Sequence, residues 1–130
     1  MDLFKTDTTK YANVAGTNNP SNDAVYKAQQ GSCFECHKPF GFYTANEKDA
    51  GGYTVEHVFP EGLGFGLFGN KVLPCLECNR RKANKLPDYE YVGAVRQLYR
   101  QIFPRNAIEA LRRMGHPIWT RRILTTRHSH

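Results

Sequence analysis

The chain has 130 residues, 40% hydrophobic and 23% charged, enough for one domain with a core and too apolar for a disordered chain. No apolar run nears the roughly 18 residues that cross a bilayer, and "MDLFKTDTTKYANV" lacks the basic start and apolar middle of a signal peptide, so a soluble, cytoplasmic protein is expected. The net charge of +6 is uneven: residues 1–79 carry 6 Lys/Arg against 9 Asp/Glu, and residues 80–130 carry 12 against 3, a basic half that suits either a polyanionic partner or a solvated surface.

The first twenty residues are polar, with "GTNNPSN" reading as a turn. Ser21 is placed to cap a short helix, "NDAVYKAQQ", that Gly31 would end. "CFECHKPFGFY" is turn-rich and gives way to a polar loop through "NEKDAGG". "GYTVEHV" reads as a strand, stopped by Pro60 and Gly62. "EGLGFGLFG" is a glycine-rich loop, "NKVLP" a second short strand, and "CLECNRRKANK" a turn running into a helix. Beyond Pro87, Val92, Val95, Leu98 and Ile102 recur at helical spacing, so "DYEYVGAVRQLYRQIF" is an amphipathic helix that Pro104 breaks. "NAIEALRRMG" is expected to form another, with Asn106 as N-cap, Gly115 as C-cap, and Ile108, Leu111 and Met114 on one face. The basic tail "HPIWTRRILTTRHSH" carries the one Trp and shows no assignable pattern.

All four cysteines lie in two Cys-x-x-Cys pairs, Cys33 with Cys36 and Cys75 with Cys78. Two such pairs separated by a loop match a tetrahedral four-thiolate zinc site. Two disulfides would suit a secreted protein, and a redox Cys-x-x-Cys needs a βαβ setting absent here. An ion with four sulfur ligands has no open position, so this zinc is structural, and His37, next to Cys36, is expected to be exposed and uninvolved. The staple ties the strand ending in Glu56 and His57 to Asn79 and the helix that starts there.

The ordered set of two cysteine pairs, "VEHVFP", and "GNKVLPCLECNRRK" resembles the HNH endonuclease family over residues of about 31 to 85. The resemblance implies an α+β fold: a ββα-metal core stapled by the four-cysteine zinc, with a helical extension behind it. Residues 1–30 would be an N-terminal segment with a short helix, 31–86 the nuclease core, and 87–130 a basic helical extension, all one compact domain. By the same resemblance, His57 is the general base that takes a proton from the attacking water. Glu56 and Asn79 are ligands of a catalytic Mg²⁺ or Mn²⁺, and Asn70 orients the histidine and fixes the loop. Glu56 stands where Asp is commoner in the family, and Asn79 where His is common, which favours an oxygen-rich site.

Arg80, Arg81 and Lys82, at a helix start beside the proposed ion, are candidates for phosphate contacts, with Lys71 and Lys85 as further candidates. Arg96, Arg100, Arg105, Arg112, Arg113, Arg121 and Arg122 fit a second DNA surface and a solvated helix face equally well. The expected activity is hydrolysis of DNA phosphodiesters in a phage or bacterial host cell. A monomer would nick and a homodimer would cut both strands. A non-catalytic zinc-stabilised nucleic-acid-binding module and an RNase on the same core are the alternatives.

Overall fold

The computed structural model describes residues 14, 16, 19–41, 52–59, 69–82 and 86–120. The loops read in "NEKDAGG" and "EGLGFGLFG", apart from their last glycines, lie outside the described residues, as do Pro60, Lys85, Arg121 and Arg122. The described part is α+β, with four helices and a two-stranded antiparallel sheet.

Helix α1 (Asn22–Ala28) starts as its sequence dictates: the Ala24 N–H donates to Ser21 Oγ at 3.1 Å. It ends with Gln30 in the left-handed region at φ 58°, where the Gln30 and Gly31 N–H groups donate back to Lys27 and Tyr26. Strand β1 (Glu56–His57) pairs with β2 (Lys71–Val72), Glu56 opposite Val72 and His57 opposite Lys71. The expected strand over 52–58 thus shortens to two paired residues plus an isolated bridge between Tyr53 and Cys75. Pro74 is the reason: its carbonyl accepts from the Thr54 N–H at 2.8 Å, but it has no N–H to return.

A ladder this short leaves the far edge of β2 unpaired, and two side chains cover it. The Tyr99 hydroxyl accepts from the Lys71 N–H at 2.8 Å and donates to the Lys71 carbonyl at 2.5 Å. Two residues on, the Gln29 amide accepts from the Leu73 N–H at 2.9 Å and donates to its carbonyl at 2.7 Å. Each acts as a one-residue substitute for a neighbouring strand, satisfying backbone groups that burial would otherwise orphan.

Helix α2 (Leu76–Lys82) begins directly after Cys75 and contains Cys78. It therefore starts before Asn79, and Arg80, Arg81 and Lys82 lie in its last turn rather than at a helix start. Helix α3 (Tyr89–Arg100) is capped by Asp88, which accepts from the Tyr91 N–H at 2.8 Å. Helix α4 (Arg105–Arg113) begins two residues earlier than an Asn106 cap requires, with Pro104 as N-cap. The proline ring fixes φ at −65°, and its carbonyl accepts from Ala107 and Ile108, so Asn106 falls inside the first turn. Gly115, at φ 82°, follows the C-cap Met114; it donates to Arg112 while His116 donates to Leu111.

One apolar cluster joins α1 through Val25, the hairpin through Val58, Phe59, Val72 and Leu73, α3 through Val92, Val95 and Tyr99, and α4 through Leu111. The tail contributes Ile118 and Trp119 to it. Each fully buried aliphatic side chain here is worth about 1.5–3 kcal/mol. Arg96 fastens this tail, donating to the carbonyls of Ile118 at 2.6 Å and Thr120 at 3.2 Å. Gly69 is required twice over: its φ is +61°, and a Cβ there would meet Nε2 of the buried His116 at 3.3 Å. No helix among the described residues is long and apolar enough to cross a membrane.

Candidate metal centre and hairpin site

The two cysteine pairs converge. The four Sγ atoms lie within 4.8 Å of one another, none is in a disulfide, and three of the four residues are buried. A tetrahedral ion with bonds of about 2.3 Å needs sulfurs about 3.8 Å apart, which small side-chain adjustments supply. The donor chemistry fits a thiolate–metal site as well. Cys33 Sγ accepts from the N–H groups of Glu35 at 3.3 Å, Cys36 at 3.4 Å and Cys75 at 3.3 Å, and Arg81 Nη2 donates to Cys78 Sγ at 3.3 Å. Burial pushes the Cys33 thiol up, but these three N–H donors outweigh it and hold the group below its ordinary value. Cys78 is pushed the other way, by burial first and then by the neighbouring sulfurs, so a divalent cation that binds there must displace protons. Four sulfurs close together can hold a metal ion such as zinc. His37 is exposed, in a turn where its N–H donates to the Cys33 carbonyl at 3.0 Å.

Cys75 immediately precedes α2 and Cys78 lies in its first turn, so the cluster fixes that helix against β1. Two side-chain rungs then join helix to strand. Asn79 Nδ2 donates to Thr54 Oγ1 at 2.8 Å, and Lys82 Nζ pairs with Glu56 Oε2 at 3.0 Å. The spacing explains the match: Thr54 and Glu56 share one face of an extended chain, and Asn79 and Lys82 share one face of a helix. The second rung is an ion pair of low exposure, 7% for the Lys82 side chain and 14% for that of Glu56. The Glu56 oxygen is buried and makes no hydrogen bond, so the contact is charge attraction without aligned donors.

His57 follows Glu56 and therefore faces away from α2. Its cross-strand neighbour is Lys71, and the two exchange no backbone hydrogen bond, an arrangement that brings side chains close. The Lys71 ammonium is drawn aside to Asn22 Oδ1 at 2.9 Å, and burial lowers its pKa. The His57 imidazole is half-buried and has no hydrogen-bond partner among the described residues. Asn70, 1% exposed, sits at the root of the loop that follows His57. Its side chain accepts from the Phe59 N–H and donates to the Phe59 carbonyl, both at 2.9 Å, while its own carbonyl accepts from Val58 at 3.0 Å. The amide thus closes residues 59 and 70 into a fixed neck and sets the exit direction of the strand that carries His57.

Of the predicted residues, Glu56 and Asn79 meet the same hairpin–helix seam, His57 lies on the opposite strand face, and Asn70 joins the two ends of the hairpin at Phe59. Arg80 is exposed, Arg81 leans on Cys78, and Lys82 is spent on Glu56 rather than offered to solvent. Three groups near the seam escaped sequence reading. Thr54 anchors Asn79, and its signal was the i, i+2 relation to Glu56. Glu35, between the first two cysteines, has a buried oxygen with no hydrogen-bond partner; burial raises its pKa, against the pull of Arg81 and Lys82. The Tyr91 hydroxyl is likewise buried without a partner, and its ring packs edge-on against Phe34 at 5.3 Å. Neither a scan against family models nor a search of curated proteins returns a match to this chain.

Proposed function

We propose that the protein is a metal-dependent endonuclease of the HNH type, acting on DNA, with a zinc ion held by Cys33, Cys36, Cys75 and Cys78. The observation that carries this reading is the double rung across the seam: the four-sulfur cluster, Asn79 on Thr54 and Lys82 on Glu56 hold an acid, a histidine and an asparagine around one hairpin end. A phosphodiester lying across that end meets His57 from one face and Glu56 and Asn79 from the other. The fit of a catalytic cation rests on donor chemistry. Asn79 spends its amide N–H on Thr54 and keeps its carbonyl oxygen for another partner; Glu56 Oε2 is held by Lys82 at 3.0 Å, so the carboxylate would meet a cation through its other oxygen.

A hard divalent cation such as Mg²⁺ or Mn²⁺, bound there, would supply charge neutralisation at the reacting phosphate. His57 takes a proton onto its imidazole nitrogen from the attacking water. Asn70 keeps the strand end from drifting, so that the imidazole meets the water in line with the scissile bond. Lys82 holds the Glu56 carboxylate in place at the seam, where Glu56 and Asn79 would be the residues to hold the cation. Arg80, exposed on the next helical position after Asn79, contacts the flanking backbone. A monomer nicks, and a homodimer would cut both strands.

The test is cleavage of duplex DNA, single-stranded DNA and RNA by zinc-loaded protein, with Mg²⁺ or Mn²⁺ present or simply omitted. Omission is better than a chelator, which would also attack the sulfur site. Cleavage of duplex DNA that requires the added cation supports the reading. Cleavage of RNA alone makes the protein an RNase, and binding without cleavage makes it a zinc-stabilised binding module.

A further inference from the structure

A cavity of about 720 Å³ lies away from the hairpin, between α3, α4 and residues 119–120. Its volume falls in the range of sites that enclose a small molecule or one unit of a polymer. Its lining is rich in donors. Arg96, Arg100, Arg105 and Arg112 contribute guanidinium groups, and Glu109 is the one carboxylate.

Two of those cations are already committed. Arg96 is tied to the carbonyls of Ile118 and Thr120, and Arg112 pairs with Glu109. Arg100 and Arg105 have no carboxylate partner among the described residues. Arg100 lies over the Trp119 ring, its Cζ 5.5 Å from the centroid. Arg105 is the first residue of α4, where the helix dipole and a cationic side chain repel each other. The first turn of α4 contains no acid, and Pro104 supplies no side-chain cap. Natural helices place an anion at such an end, and this one places another cation.

The second, independent observation is Trp119. The residue is 4% exposed, it lines the cavity, and its indole N–H is buried with no acceptor among the described residues. An orphaned buried donor is costly. Next to two unpaired guanidiniums, it marks a place whose complement is rich in acceptors and carries negative charge.

We infer that this cavity is a binding site for the phosphate group of a nucleotide, presented by a free nucleotide or by a nucleic-acid strand. Arg100 and Arg105 make charge-assisted hydrogen bonds to the phosphate oxygens, and the N-terminus of α4 adds its partial positive charge. Phe103, Ile108 and the edge of Trp119 form the apolar wall for the attached sugar or base. The site needs no chemistry at His57 and stands or falls separately from hydrolysis.

Trp119 is the one tryptophan in the chain, so emission excited at the red edge of the indole band, where the tyrosines do not absorb, reads this cavity. Full-length zinc-loaded protein is titrated with inorganic phosphate, thymidine 5′-phosphate and a short single-stranded oligodeoxynucleotide, without Mg²⁺. The expected result is a saturable change in Trp119 emission that weakens by about tenfold or more in Arg105→Gln and in Arg100→Gln, the loss of one charge-assisted contact. Tighter binding of the oligonucleotide than of the mononucleotide identifies a strand as the source, and equal binding identifies a free nucleotide. His57→Ala leaves the response unchanged. Absence of any response to all three probes overturns the inference. So does a response that sodium chloride reproduces at equal ionic strength, or one that both arginine variants retain in full.

Discussion

Residues 31–82 and residues 86–120 are held together by different physics. The first region carries a two-residue ladder, a four-sulfur cluster, an ion pair, and the Asn70 amide that closes the hairpin. The second is built on apolar burial, with Val92, Val95, Tyr99, Leu111 and Ile118 each 0% exposed. A two-stranded hairpin is marginal alone, and a short polar segment cannot bury enough surface to hold a site rigid. The apolar half supplies a floor, through Tyr99 under β2, and the sulfurs set the angle between strand and helix. The difference teaches that precision at the hairpin comes from directional contacts, whereas its persistence comes from the helices beneath.

That contrast can be broken most severely at the sulfurs. Cys78→Ser, or removal of the ion, should cost more than any other single change, since structural zinc in small modules contributes about 10–16 kcal/mol of apparent binding energy. Amide exchange should lose protection at Glu56–His57 and Lys71–Lys82 first, with α3 and α4 affected less, and metal analysis should find one zinc per chain. Acid should act in the same direction. Because burial and crowding raise the Cys78 thiol in the metal-free cluster, protons compete strongly with the ion, and zinc affinity should fall as pH falls.

The ion pair across the seam comes next. Lys82→Gln leaves the Glu56 carboxylate buried and unpaired, a loss of about 3–5 kcal/mol by urea unfolding. If Glu56 and Asn79 hold a divalent cation, Mg²⁺ or Mn²⁺ should restore much of that loss in Lys82→Gln and stabilise the wild type less. Equal effects on both would count against a cation at Glu56. In the helical half, Arg96→Met removes the donors to Ile118 and Thr120 and leaves the buried Ile118 carbonyl without its guanidinium, for about 1–3 kcal/mol. Its signature should be release of the tail, seen as a red shift of Trp119 emission, with the zinc retained.

Asn70→Ala should cost about 1–3 kcal/mol and loosen exchange at Val58 and Phe59, because both of its amide bonds to Phe59 are lost. Ser21→Ala, which removes only the cap of α1, marks the bottom of the scale at about 1 kcal/mol.

Much of this was legible in the chain. The cysteine spacing pointed to the four-sulfur cluster, Ser21 to the start of α1, and the recurrence of Val92, Val95 and Leu98 to the helix α3. The rungs were not legible, because pairing Asn79 with Thr54 and Lys82 with Glu56 depends on how a helix lies along a strand, and no single segment encodes that. Lys82 looked like a phosphate contact for the same reason: a lysine in a basic run is indistinguishable from one facing a carboxylate 26 positions earlier. The tail was opaque because "HPIWT" has neither helical nor strand period; its burial is imposed from a distance by Arg96. Pro104 displaced the expected Asn106 cap because a fixed φ starts a helix without a side-chain oxygen.

The most direct test of the central claim is conversion of supercoiled plasmid by wild type and by His57→Ala, both zinc-loaded and both given Mg²⁺. The account predicts nicking by the wild type that disappears in a folded, zinc-retaining His57→Ala. Undiminished nicking by that variant would contradict it.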